Sequence, residues 1–360
     1  YWGGELDLEK YLESLGYDVF TVSVGPVSSN WERSIEIFHQ LKGGQVDYGK
    51  KHADNWGIIQ KPHNKHYIGL YPQWNESNPL HFIGHSMGGQ TIRMLSYQLN
   101  NLFFIDSTHN VLEESKLLNL DNSGWIKSIT SISTPHNGTT LSDIVIKSVP
   151  FLQNFIILGA VVQSDFYDFD LQHWGFSRKD KESWLSYFNR LRNHPSWNTK
   201  NICSWELGLD GAQALNTKLI AQQNVYYFSF STSTTHKEKK TDKHKPDKNT
   251  SLFLRIKSKL IGSQIVRFED GTITDSLWFE NDGVVNTISQ NGPTTGLNGP
   301  DPLANYHQNE PLIPGQWYVL PTIKMDHWGI IGHGNLNRKE KEFLLSLYDE
   351  HCKRLWSLPK

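Results

Sequence analysis

Cysteine is almost absent: Cys203 and Cys352 are the only two in 360 residues. A disulfide framework is therefore excluded, and free thiols are expected over the one bridge that could form. No apolar run reaches the length that spans a bilayer. Charge of one sign is also lacking. Lys and Arg number 35 against 37 Asp and Glu, for a net charge of −2. Such a balance carries no overall basic footprint for nucleic acid or for an acidic surface. Internal repeats are missing too. The chain starts Tyr1-Trp2-Gly3-Gly4, with neither Met nor a leader, so it reads as a mature or incomplete piece and no targeting segment assigns a compartment. Aromatic residues, in contrast, are plentiful at 12%, with 13 Trp, which suits broad apolar surfaces. The length is enough to bury a large core, as one big α/β domain or two smaller ones.

One stretch organises the rest. Leu80-His81-Phe82-Ile83 is apolar and strand-like, Gly84-His85-Ser86-Met87-Gly88 follows, and a helical pattern begins at once (Thr91, Ile92, Met94, Leu95, Leu99). Strand, tight turn and helix are the setting in which G-x-S-x-G forms a nucleophile elbow. The serine must adopt a strained backbone, and glycines at the flanks, Gly84 and Gly88, are expected to relieve collisions with the neighbouring strand and helix. The hydroxyl then projects where a helix N-terminus favours negative charge.

Along the chain, residues 5–15 read as an amphipathic helix stopped by Gly16, and residues 17–24 alternate as a strand does. Ser29-Asn30-Trp31-Glu32 is a capping box that opens a helix ending near Gly43-Gly44. Residues 45–79 are polar, aromatic and irregular. Residues 125–132 form a second buried strand and 224–230 a third. The stretch 144–162 is strongly apolar, and its residues leave two readings open: a buried core helix or a lid over an apolar cleft. Residues 165–220 carry Trp-rich helical patterns. The run 236–248, without an apolar residue, is expected as a solvated loop. Residues 316–321 look like the last strand, with a helix over about 338–357. This alternation predicts a mostly parallel, doubly wound sheet with ligands beyond the strand carboxyl ends.

A serine hydroxyl needs a base. In this arrangement the acid and then the histidine follow the serine in chain order. Spacing leaves His327 and His333 open as the base. It leaves Asp282, beside the turn Gly283, open as the acid, with Asp270 and Asp275 as competitors.

GHSMGGQT, ISTPHNGTT, YWGG, VGPVSSNWER, GGQVDYG with its following HA, QHWGF, ENDGVVNT and MDHWGIIG occur in one order over nearly the whole chain. Together they resemble the bacterial lipase family of the staphylococcal and Geobacillus enzymes. The resemblance implies an α/β-hydrolase fold as one domain over 1–360, with a lid or cap insertion at about 140–220. It implies Ser86 as nucleophile, Asp282 as acid, His327 as base and His333 as a bystander. The oxyanion hole is expected to use the Met87 backbone N–H and a second N–H from a His-Gly-Phe loop after the first core strand. That strand and loop would precede Tyr1, so further residues upstream are expected.

The resemblance also implies a zinc site. Glu32 and His52 stand at its first carboxylate and first His. The second His position falls near Ile58, with His63 or His66 as stand-ins. The second carboxylate position is Gln172, with Asp168, Asp170 and His173 nearby. The family's calcium positions correspond to Gly329 and Gly334, so calcium is not expected. The chemistry itself requires no cofactor. The implied activity is hydrolysis of acylglycerols and similar lipophilic esters at an oil–water interface by a secreted enzyme, with polyesters open as substrates and no nucleic-acid partner. An acyltransferase or thioesterase on the same residues, or a non-catalytic lipid-binding module, are the alternatives.

Overall fold

Short apolar runs that could not bury themselves alone line up edge to edge. In the computed structural model, which describes residues 6–103, 115–146, 199–297 and 300–359 with Trp2, Gly4, Lys181, Ser183 and Ser186, five of them form one sheet. The strands are β1 (Leu80–His85), β2 (Ile126–Ile132), β3 (Tyr226–Phe230), β4 (Leu303–Asn305) and β5 (Trp317–Val319). Their order is β1-β2-β3-β5-β4, and every pairing is parallel. A parallel sheet is covered on both faces, so its central strands read as nearly continuous apolar runs. All five residues of β3 are buried accordingly.

Successive side chains of β3 enter different cores, as the two-residue period of a strand requires. Tyr227 joins Ile35, Phe38, Leu95, Leu99 and Trp317 on the side of helices α2 (Asn30–Lys42) and α3 (Met87–Leu99). Tyr226, Phe228 and Phe230 pack with Leu8, Leu12, Leu344, Tyr348 and Leu355 beneath helices α1 (Leu8–Ser14) and α6 (Arg338–Trp356). This is the doubly wound α/β arrangement, a sheet between two helical layers. Helices α4 (Leu209–Asn216) and α5 (Leu252–Ile261) stand among the loops that follow β2 and β3. The capping box at α2 is present, with Glu32 Oε2 accepting from the Ser29 N–H at 2.8 Å. A second one opens α6, where Asn337 and Glu340 exchange backbone-to-side-chain bonds.

Two local expectations are corrected. Residues 17–24 form no strand, because alternation becomes a strand only where a neighbouring edge supplies hydrogen bonds, and among the described residues β1 pairs only with β2. The run 236–248 is not a plain loop. Thr235–Lys237 pairs antiparallel with His244–Pro246, held by cross-strand charge pairs instead of a core, such as Lys245 with Glu238. Strand β4, three residues long, is too short to show a period. Of the expected lid, residues 147–180, 182, 184–185 and 187–198 lie outside the described residues, and with them Asp168, Asp170, Gln172 and His173.

Candidate active site

β1 delivers the chain into a turn and α3 takes it away. At the junction Ser86 has φ 55° and ψ −129°, a conformation that L side chains rarely adopt. Two hydrogen bonds hold the strained residue: its N–H donates to the Ile132 carbonyl at 2.8 Å, and its own carbonyl accepts from Thr134 Oγ1 at 2.9 Å. A Cβ on Gly84 would meet the Gly88 backbone at 2.5 Å, so the close approach of strand to helix requires glycine there. At Gly88 a Cβ would meet nothing within 4 Å. The expectation that Gly88 also relieves a clash is therefore corrected. The second tight glycine is Gly89, whose Cβ would lie 2.2 Å from Thr134 Oγ1.

Loops from three other strands converge on the serine. His327, in the loop between β5 and α6, places Nε2 2.9 Å from Ser86 Oγ and Nδ1 2.8 Å from Asp282 Oδ2. A carboxylate oxygen only accepts, so Nδ1 carries the proton and Nε2 is free to accept from the serine. Both side chains are buried, His327 at 1% exposure and Asp282 at 0%. His333 makes no such contact with Ser86. Asp270 and Asp275 bond instead to nearby backbone amides, those of Thr272 and Leu277, as turn and cap residues do.

Asp282 is held by more than the histidine. Its Oδ1 accepts from the Val284 and Val285 amides at 3.0 and 2.8 Å, and its Oδ2 from Thr232 Oγ1 and Gln290 Nε2 at 2.8 and 3.1 Å. Ser133 Oγ lies 2.6 Å from the Thr232 hydroxyl and extends the chain of bonds to the end of β2. Neither Thr232 nor Gln290 carries a local sequence signal. Thr232 comes to the aspartate from 50 residues away, and Gln290 folds back on it from eight. His85 is a further unforeseen neighbour. Burial, followed by the nearby His327, holds it well below its ordinary pKa. The neutral ring lies tilted against the His327 ring, centroids 4.6 Å apart, and its Nε2 donates to the His327 carbonyl at 2.8 Å. The Met87 N–H, first in α3, has no acceptor within the helix. It lies at the positive end of the helix dipole, where an oxyanion formed next to Ser86 would be stabilised.

The candidate zinc ligands lie apart from this centre. His52 Nε2 is 2.6 Å from Glu32 Oε1, which also accepts from Asn201 Nδ2 at 2.6 Å. Among the described residues no third His, Cys, Asp or Glu joins them, and His63 and His66 are exposed elsewhere. Tetrahedral structural zinc needs four ligands. Glu32 and His52 supply two, and the other candidates of the resemblance, Asp168, Asp170, Gln172 and His173, lie outside the described residues. Beside them Glu206 is buried at the start of α2, its Oε2 accepting from the Asn30 N–H and Nδ2 at 2.6 and 2.9 Å. Burial pushes its pKa up to about 8. Cys203 and Cys352 are free thiols.

A family model described as a lipase-like C-terminal domain matches residues 1–355. A lipase of Staphylococcus hyicus is 35% identical over 96% of this chain and 52% of its own length. Lipase 1 of Staphylococcus aureus is 33% identical over 92% and 47%, respectively. The chain thus spans about half the length of the curated relatives it matches. Among solved structures, EstA from Clostridium botulinum superposes with a TM-score of 0.85 at 36% identity, covering 97% of this chain and 81% of that one. Lipase 1 from Pelosinus fermentans gives 0.83 at 36% identity, covering 100% and 94%. The S. hyicus lipase gives 0.80 at 32% identity, covering 97% and 88%.

Proposed function

Because the chain belongs to the family of lipase-like C-terminal domains, we propose that it is a serine carboxylic-ester hydrolase acting on acylglycerols and similar lipophilic esters. The observation that carries this reading is the continuous hydrogen-bonded line from Ser86 Oγ through His327 to Asp282. In the proposed reaction His327 Nε2 takes the Ser86 proton as Oγ attacks the ester carbonyl. Asp282 holds the imidazole in the required tautomer and stabilises the imidazolium. The Met87 N–H receives the oxyanion of the tetrahedral intermediate. His327 returns the proton to the departing alcohol, leaving an acyl group on Ser86. Water, deprotonated by the same histidine, then releases the acid and restores the serine. No step needs a metal or cofactor. Secretion and action at an oil–water interface belong to this reading through the family resemblance, with polyesters as a further substrate class to be tried. Among the described residues no helix is long and apolar enough to cross a membrane.

The test is hydrolysis of p-nitrophenyl butyrate by this chain, with Ser86→Ala as control. Turnover lost in the mutant supports the reading. Absence of turnover and of labelling by an organophosphate, in folded protein, would sink it in favour of a non-catalytic lipid binder. Faster transfer to alcohol or thiol acceptors than to water would instead make it an acyltransferase.

A further inference from the structure

Helix α5 is amphipathic in an unusual sense. Leu254, Ser258 and Ile261 are buried, as i, i+4, i+7 spacing dictates for the face turned to the protein. The opposite face carries Leu252, Ile256 and Lys259 at the same spacing, and the two aliphatic side chains are 85% and 74% exposed. The helix is tied to the active-site loops at its beginning. The Ser251 N–H donates to Asp326 Oδ2 at 3.1 Å, one residue before His327. Leu254 packs so closely on the residue after Asp282 that a Cβ on Gly283 would meet its Cβ at 2.9 Å. At its end the helix rests on the hairpin of 235–246, where the His244 N–H donates to the Gly262 carbonyl at 2.8 Å.

That hairpin and helix are where the positive charge of the chain concentrates. Residues 236–260 hold nine Lys and Arg against three Asp and Glu, in a chain of net charge −2. The three acids are engaged within the hairpin: Asp242 with Lys237, Glu238 with Lys245, and Asp247 with His236. Among the described residues Lys239, Lys240, Lys243, Lys248 and Lys259 face no carboxylate at ion-pair distance. Two exposed aliphatic side chains on a helix that packs against a lysine-rich hairpin match a surface that is apolar below and anionic above. A protein partner would bury the leucine and isoleucine but leave the lysines uncompensated unless it were acidic, and a nucleic acid would leave the aliphatic side chains without a counterpart.

We propose that α5 and the 235–246 hairpin form a docking face for anionic lipid surfaces, seating Leu252 and Ile256 among the acyl chains and the lysines on the headgroups, beside the loop that carries His327. This rests on the ester-hydrolase reading for its purpose, but its test does not depend on turnover. Co-sedimentation of the Ser86→Ala chain is measured with vesicles of phosphatidylcholine alone and of phosphatidylcholine mixed with phosphatidylglycerol. Binding is expected to favour the anionic vesicles and to fall with added salt. Lys243→Ala/Lys248→Ala/Lys259→Ala should weaken anionic binding on the order of a hundredfold, at roughly fivefold per cation near the surface. Leu252→Ser/Ile256→Ser should weaken it as well, with circular dichroism unchanged in both variants. Equal affinity for the two vesicle types, or unaltered binding by either folded variant, would overturn the proposal. Hydrolysis of soluble p-nitrophenyl butyrate by the same variants in the Ser86 background should match the parent. If the parent itself shows no hydrolysis while vesicle binding persists, the hydrolase reading fails and the docking face stands.

Discussion

At Asp282 one carboxylate serves five donors: two backbone amides, a threonine hydroxyl, a glutamine amide and the His327 ring. Its place is thus set from several directions, and a change of charge without a change of shape isolates its electrostatic role. In Asp282→Asn, an amide nitrogen facing Nδ1 would donate, move the imidazole proton to Nε2 and aim it at Ser86, removing the base. We expect kcat on p-nitrophenyl butyrate to fall on the order of 10³–10⁴ with a near-native circular dichroism spectrum; a loss of less than tenfold would mean another acid serves His327. Ser86 announced itself in the sequence because an elbow is a local signal, six residues of strand, turn and helix. Its partners did not, since His327 lies 241 residues away and only the sheet order sets that meeting. Spacing left His327 beside His333 and Asp282 beside Asp270 and Asp275, and family resemblance was needed to choose. Thr232, Gln290 and His85 stayed hidden, being ordinary polar residues until folding brings them together.

The elements carry their own tests. At the elbow the structure separates two glycines that the motif treats alike. Gly84→Ala drives a methyl group into the α3 backbone and should cost about 1–3 kcal/mol. Gly88→Ala enters open space within a helix and should stabilise by roughly 0.5–1 kcal/mol. Thermal unfolding of the pair should therefore shift in opposite directions, and equal losses would show that the motif, not the packing, sets the requirement. At the start of α2 the issue is a buried acid. Glu206 in the folded chain has its pKa raised from 4.5 to about 8, chiefly by burial. The folded state then holds a proton that the unfolded state has released, so stability from this group is full below about pH 4.5 and is lost as pH rises to about 8. Glu206→Gln, which mimics the protonated acid and still accepts from Asn30, should match the parent near pH 4.5. It should gain on the order of a few kcal/mol relative to it by pH 8. A melting-temperature difference that does not change with pH would refute this account. A capping box made α2 visible in the sequence, whereas the box that opens α6 emerged only with the structure. Residues 17–24 misled because alternation describes a face and says nothing of a neighbour.

On the scale of the whole molecule, the loops after β1, β3 and β5 and the loop holding Asp282 gather at the carboxyl edge of the sheet, and that edge was foreseen from the alternation of strands and helices alone. Less of the metal chemistry could be read, because ligands come from loops whose register no periodicity fixes. Calcium is the sharper case. It requires six to eight oxygen ligands, usually including carboxylates, and the positions that the family resemblance implies for it, Gly329 and Gly334, have no side-chain oxygen. The nearest carboxylate, Asp326, is already committed. Its Oδ1 accepts from the Trp328 and Gly329 amides at 3.2 and 2.8 Å, and its Oδ2 from the Ser251 amide at 3.1 Å. A calcium ion would have to displace these three bonds, unlatching α5 from the His327 loop, without gaining ligands from the two glycines. The melting temperature in EGTA should accordingly equal that in millimolar calcium. A drop in EGTA that calcium reverses and magnesium does not would demonstrate a site built from other oxygens, and would identify the His327 loop as one that a metal, instead of Asp326 and the backbone, holds in place.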